Sequence, residues 1–350
     1  MKRFDDDLAF MLRYENVAWY EDGKVRILDR RIYPTKIEFV TCSTHREVAQ
    51  AIADMVTQSA GPYTAAGMGM ALAAYECRDL GREEMWAYLE KAAHTLSHAR
   101  PTTANRMVLT TNGCLEAARK AMDEGRPVDE AIFMRTIESL NRRYSTIEVV
   151  AEHLVTMFPD KGTIMTQCFG ETIVGMMLRV SRKRDKDIKL FVPETRPYFQ
   201  GARLTASVAC DMGFDTTVIT DNMPAFVMKR NKIDLFTSAA DVICMDGHVV
   251  NKIGTYQIAI SAKYHGVPYF VTGIPDKAHQ TIDSVTIEER DPQLVLEARG
   301  VKNTLDGVKG YYPSFDITPP HLVSGVVTDK GIFVPYDLQK YYDTEVKEYY

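Results

Sequence analysis

No stretch of this 350-residue chain approaches the roughly 18–20 consecutive apolar residues that a bilayer-spanning helix needs, so no membrane partner is expected. Met1 to Asp7 is charged and leads into no apolar signal core, which points to the cytoplasm. A basic excess is lacking as well. The formal charge of -5 argues against a general nucleic-acid partner, while leaving room for a local basic pocket. Cysteine is sparse and unpatterned: Cys42, Cys77, Cys114, Cys168, Cys210 and Cys244 show no CxxC spacing. Neither a disulfide framework nor a metal site is expected, and most of these thiols read as small buried hydrophobes. Glycine-rich phosphate cradles are missing too. Gly61 and the Gly67-Met68-Gly69 pair follow no strand, so nucleotide cofactors are poor candidates and no cofactor is expected.

What is present is ordinary for a soluble globular protein, at 45% hydrophobic and 25% charged residues, with length enough for two domains. Residues 14–40 read as β-rich, the runs Val17–Tyr20 and Lys24–Leu28 being separated by the turn Glu21-Asp22-Gly23. Five segments then carry apolar residues at helical spacing: Thr44–Ser59, Ala65–Leu80, Glu83–Ser97, Asn105–Glu124 and Val128–Met157. From about residue 161 the rhythm changes to short apolar runs alternating with helices. Strands are predicted at Gly162–Thr166, Lys189–Val192, Thr216–Ile219, Leu235 with Ala239–Cys244, and Pro268–Val271. Helices are predicted at Glu171–Arg184, Gln200–Asp211, Pro224–Lys229 and Thr255–His265. Such alternation implies a parallel sheet with right-handed crossovers. The expected class is α/β: a Rossmann-like parallel-sheet domain at 158–350, preceded by a smaller, mainly helical domain at 1–157 with a short β-rich N-terminal segment. The tyrosine-rich tail (Tyr341, Tyr342, Tyr349, Tyr350) reads as a packing element.

Ligands of such sheets sit beyond the carboxyl ends of the strands, where four polar clusters fall. In Thr166-Gln167-Cys168-Phe169-Gly170-Glu171 the thiol follows a strand and precedes a helix, a position whose free amides lower a thiol pKa; the plain alternative is a structural cysteine. The Glu194–Arg203 segment offers Arg196, Gln200 and Arg203 as planar donors for phosphate or sugar oxygens, or Glu194 and Arg196 as a loop-stapling ion pair. Asp221 and Asn222 form either a helix cap or part of a site. Asp241 lies among Ala239, Ala240, Val242 and Ile243, where burial would raise its pKa and fit it to be a general acid. Asn251 and Lys252 are expected to open a helix as anion ligands.

These blocks, with Asn16–Tyr20, Arg100-Pro101-Thr102 and Phe315–Pro320, resemble the methylthioribose-1-phosphate isomerase family, which shares its fold with regulatory subunits of the exchange factor for translation initiation factor two. The resemblance covers nearly the whole chain and implies a homodimer acting on a small phosphorylated sugar. It implies catalytic roles for Cys168 and Asp241, and substrate-binding roles for Arg100, Gln200, Asn251 and Lys252. Asp246 falls instead on a turn position. Two departures stand out. Where the family has an Arg-Gly-Ala-Pro phosphate loop, this chain reads Thr57-Gln58-Ser59-Ala60, followed by Gly61-Pro62-Tyr63. The usual Asn-Thr-Gly after the cysteine is Phe169-Gly170-Glu171. Hydroxyls of Thr57 and Ser59, or the Gly61 amide, are the available substitutes for the absent arginine.

The activity implied is conversion of a 5-substituted ribose 1-phosphate, with methylthioribose 1-phosphate favoured, to the ribulose 1-phosphate. Its alternatives are the 5-deoxyribose 1-phosphate or ribose 1,5-bisphosphate isomerases, or a non-catalytic initiation-factor-like regulatory protein that lacks the Cys/Asp pair. In the expected mechanism Asp241 protonates the ring oxygen and Cys168, as thiolate, removes the C2 proton, with the roles open to exchange.

Overall fold

The computed structural model describes residues 3–100 and 104–344. Pro101, Thr102, Tyr349 and Tyr350 of the motifs above lie outside them. The chain divides into two compact units, Met1–Ser145 and Thr146–Tyr350.

The first unit opens with a short helix α1 (Tyr14–Val17) and an antiparallel sheet of β1 (Ala18–Glu21), β2 (Lys24–Leu28) and β3 (Phe39–Cys42). The β1–β2 turn places Asp22 and Gly23 at φ 49° and 69°, the left-handed pair that matches strand twist in a two-residue hairpin. Helices α2 (His45–Ala53), α3 (Gly61–Glu76), α4 (Arg82–Ser97), α5 (Ala104–Glu124) and α6 (Val128–Val155) follow, the last continuing past Ser145 into the second unit. Helix α2 starts on a capping box: the Thr44 hydroxyl accepts from the Glu47 amide at 3.2 Å, and the Glu47 carboxylate accepts from the Ser43 amide at 2.6 Å. Helix α3 is apolar all round, and from Ala65 to Ala74 every residue is buried. That makes it the centre of its unit, and its Gly67-Met68-Gly69 pair a packing feature rather than a phosphate cradle.

In the second unit strands and helices alternate as predicted. The strands are β4 (Lys161–Met165), β5 (Asp187–Pro193), β6 (Thr216–Ile219), β7 (Leu235–Ala239), β8 (Val242–Ile243), β9 (Val249–Lys252), β10 (Tyr269–Thr272), β11 (Glu297–Ala298), β12 (Val301–Lys302), β13 (Phe315–Thr318), β14 (Gly325–Thr328) and β15 (Gly331–Phe333). The helices are α7 (Thr172–Lys183), α8 (Ala206–Asp211), α9 (Pro224–Arg230), α10 (Thr255–His265), α11 (Gln293–Leu296) and α12 (Gln339–Asp343). The main sheet has seven strands in the order β15-β14-β10-β7-β4-β5-β6, parallel except for β15. From β4 the chain winds outward through β5 and β6, then returns to β7 on the other side. The gap between β4 and β7 is therefore the topological switch point, where α/β sheets bind ligands. Met165, Phe236, Tyr269, Val271 and Val326 fill the core around these central strands.

Three expectations need correction. The single helix expected over Gln200–Asp211 begins as a π-helical turn, Gly201–Thr205, before α8. The apolar run 239–244 is broken: β7 ends at Ala239, and Val242–Ile243 leaves to pair with β9. Asn251 and Lys252 end strand β9 instead of opening a helix, because β9 is held between β8 and β13 in a separate antiparallel sheet. Among the described residues no helix is long and apolar enough to cross a membrane. Tyr341 is buried, edge-on to Phe333 at 5.9 Å.

Gly201 stands where the chain leaving β5 folds back on itself. A methyl added there would come to 1.8 Å of the Pro193 carbonyl oxygen, which is fixed by the sheet. Gly201→Ala is expected to cost about 3 kcal/mol, at the upper end of overpacking losses, and to lower the urea midpoint accordingly. An unchanged midpoint would contradict this close approach.

Candidate active site

Cys168 leaves the carboxyl end of β4 with φ 58°, in the left-handed region that residues with a Cβ rarely occupy. Two buried threonines hold it there. The Cys168 amide donates to the Thr195 hydroxyl at 3.2 Å, and the Thr205 hydroxyl donates to the Cys168 carbonyl. Thr195 is itself fixed by Asp221, whose carboxylate accepts from the amides of Thr195 (2.8 Å) and Arg196 (2.7 Å). The loops after β4, β5 and β6 are thus tied into one frame. Gln167 ties in the loop after β9 by donating to the Ile253 carbonyl at 3.2 Å. On the other side Gly170 packs against β7, where a Cβ would lie 3.0 Å from that of Ala239. Asp241 follows two residues later.

The electrostatics run against the lowered thiol expected at Cys168. Burial pushes the Cys168 thiol up, to about 12; Lys252 opposes this, Asp241 adds to it, the Phe169 amide favours the thiolate and Asp221 disfavours it. The expected lowering fails because α7 begins only at Thr172, so its free amides lie beyond the thiol. The residue keeps part of its surface open to solvent even though protein packs densely around the sulfur. Asp241, expected to be desolvated among apolar neighbours, is exposed, because the chain turns outward between β7 and β8.

Lys252 is buried, with its ammonium 4.5 Å from the Phe315 ring centroid and 5.9 Å from that of Tyr312. Asn251 beside it donates to the Thr255 hydroxyl at 3.0 Å. Gln200 is buried with its side-chain oxygen unpartnered among the described residues. Cys168, Asp241, Gln200, Asn251 and Lys252 all belong to this unit, at the carboxyl ends of its strands and the loops beyond them. Arg196 and Arg203 are engaged by backbone carbonyls, with only the Arg196 Nη1 left unpartnered among the described residues. Arg196 binds the carbonyls of Val295 (3.1 Å) and Glu297 (2.9 Å), and Arg203 that of Tyr198 at 2.7 Å. Asp246 accepts from the amides of His248 and Ile282, which hold it below the usual carboxylate range despite partial burial.

Arg100 and the Thr57–Ser59 loop lie in the first unit. Thr57 and Gln58 are buried, and Ser59 is exposed at φ 58°. A residue the sequence did not flag supports this loop: fully buried Arg30 donates to the Gln58 carbonyl at 2.8 Å. Its guanidinium stands in the neighbourhood where the family's loop arginine is missing. The grouping of Tyr198, Tyr312 and Phe315 with Arg290 was also not anticipated, because it is made by segments distant in sequence.

A sequence model of the Initiation factor 2 subunit family matches residues 59–335. The chain belongs to this family. The methylthioribose-1-phosphate isomerase of Chloroflexus aurantiacus is 34% identical over 332 residues, covering 91% of this chain and 95% of that protein. The crystal structure of 5-methylthioribose 1-phosphate isomerase from Pyrococcus horikoshii OT3 superposes with a TM-score of 0.83 at 31% identity, covering 94% of this chain and 96% of the other. Another family member, the translation initiation factor eIF-2B subunit delta from A. fulgidus, gives a TM-score of 0.79 at 30% identity, covering 91% and 96%. Membership thus spans enzymes and translation factors, and the site chemistry has to discriminate between them.

Two titrations check the electrostatics. Peptide-resolved alkylation by iodoacetamide should show Cys168 reacting slowly near neutrality and still accelerating above pH 9; a plateau by pH 8.5 would contradict the raised thiol. The second concerns Asp316, which accepts from the amides of Gly254 (2.7 Å) and Tyr256 (3.1 Å) at the start of α10. Burial lifts its pKa to about 6, outweighing those amides. The unfolded value is about 3.9, so between the two the folded state binds the extra proton and stability falls as pH rises. The stability of the wild type relative to Asp316→Asn should therefore drop by on the order of 2–3 kcal/mol from pH 4 to 6.5 in urea melts. A constant difference would contradict it.

Proposed function

We propose that this protein is an aldose–ketose isomerase that converts a 5-substituted ribose 1-phosphate, methylthioribose 1-phosphate first among them, to the ribulose 1-phosphate. The observation carrying this reading is the placement of Cys168 and Asp241 after β4 and β7, the two neighbouring strands that flank the switch point. The isomerases of Chloroflexus aurantiacus and Pyrococcus horikoshii support it through similarity over nearly the whole chain.

The phosphate blocks the anomeric oxygen of the substrate, so ring opening needs a proton on the ring oxygen. A thiol kept protonated by burial suits that donation, and a solvated carboxylate suits proton removal, so we assign Cys168 as acid and Asp241 as base. The Cys168 proton goes to the ring oxygen as the C1–O bond breaks, and Asp241 takes the C2 proton. That proton is then delivered to C1, while the 2-hydroxyl proton returns to sulfur. Both groups end as they began, and no co-reactant is consumed. Lys252, Asn251 and Gln200 hold phosphate and hydroxyls, supplying orientation.

Thr57-Gln58-Ser59 in place of an arginine loop keeps 5-deoxyribose 1-phosphate and ribose 1,5-bisphosphate as the next substrates to examine. The similarity to the eIF-2B delta subunit favours a regulatory protein instead, and the Cys168/Asp241 pair speaks against that. Turnover of the three sugar phosphates by wild type, Cys168→Ala and Asp241→Asn tests the assignment. Each variant should lose at least about 100-fold in kcat while retaining its thermal melt. Near-wild-type turnover in either would sink the pair.

A further inference from the structure

Tyr312 is a loop residue with no part in the mechanism so far, yet its surroundings are those of a binding group. It is buried, at 3% exposure, and its hydroxyl has no hydrogen-bond partner among the described residues. Its backbone is held firmly: the Arg290 amide donates to the Tyr312 carbonyl at 3.0 Å. Two residues on, Ser314 donates its amide to Glu288 at 2.8 Å and accepts the Ile253 amide at 3.1 Å. Tyr198 leans on its ring at 6.2 Å between centroids, and the Lys252 ammonium lies 5.9 Å from the ring centre. Cys168 is near enough for charge on its sulfur to act on the Tyr312 hydroxyl. The Arg290 guanidinium also pulls on this hydroxyl while engaged with the Glu288 carboxylate at 2.8 Å, but it can only donate, so the hydroxyl's own proton has no acceptor among the described residues.

Resting on the isomerase reading above, we infer that Tyr312 is a further catalytic residue, its hydroxyl donating a hydrogen bond to a sugar oxygen on the C1–C2 side, beside Cys168. A buried donor left unpaired by the protein is completed by a ligand oxygen. Placed where the 2-oxygen gathers charge as its proton returns to sulfur, such a donor acts most strongly in the transition state. Burial pushes the hydroxyl's pKa up against the pull of Arg290, so the group stays a donor throughout the working pH range. The rings of Tyr198, Tyr312 and Phe315 around it form an apolar wall beside a cation, which suits a sugar phosphate whose 5-substituent is apolar.

Tyr312→Phe removes the hydroxyl and little else. With methylthioribose 1-phosphate, kcat should fall about 100-fold, as for loss of one charge-stabilising donor, with KM changed by less than about threefold. The thermal melt and the rate of Cys168 alkylation should stay as in the wild type, which a merely structural role would not leave in place. Tyr312→His, which returns a ring-borne donor, should recover part of the lost kcat. A folded Tyr312→Phe with near-wild-type kcat, alongside an inactive Cys168→Ala, would overturn the inference and leave the isomerase reading standing. A fully active Cys168→Ala would instead overturn the reading of the site itself, and this role with it.

Discussion

The left-handed backbone of Cys168 is the constraint on which the site depends. Thr195 grips its amide and Thr205 its carbonyl, and Asp221 in turn fixes Thr195. A residue with a Cβ is held at φ 58° only where its surroundings over-determine it. Here three consecutive loops of a parallel sheet supply those surroundings. The thiol is thereby presented at the switch point, beside the end of β7 that delivers Asp241.

Packing of protein around that sulfur sets its electrostatics. Desolvation outweighs the nearby Lys252 and raises the thiol, while the outward turn after Ala239 leaves Asp241 exposed; the acid and base roles proposed above rest on that contrast. Both groups follow strand ends of the main sheet, and the Tyr312 hydroxyl lies within electrostatic reach of the thiol. The fold alone does not distinguish an isomerase from a translation factor, since both kinds of relative superpose well. The proposed function rests instead on the Cys168 and Asp241 pair.

Much of this was legible in the sequence. The central strands are short apolar runs bounded by polar turns, and Thr216–Ile219 and Thr255–His265 fall where the pattern puts them. The positions of Cys168 and Asp241 just past β4 and β7 were readable from the alternating pattern. Less legible was whatever depends on partners distant in sequence. Val249–Lys252 is a strand only because Phe315–Thr318 pairs with it from more than sixty residues away. Arg196 looks like an anion donor until the 293–297 segment arrives to take up its guanidinium. The expected lowering of the Cys168 thiol and the expected burial of Asp241 failed for the same reason, since burial is a property of the folded surroundings and not of the neighbours in the chain.

The most direct measurement is carbon NMR of methylthioribose 1-phosphate, labelled at C2 and incubated with the purified protein in buffer containing EDTA and no nicotinamide. The account predicts that the C2 alcohol signal is replaced by a ketone signal at a rate proportional to protein concentration. An alcohol signal that persists unchanged, with a folded protein in the tube, would contradict it.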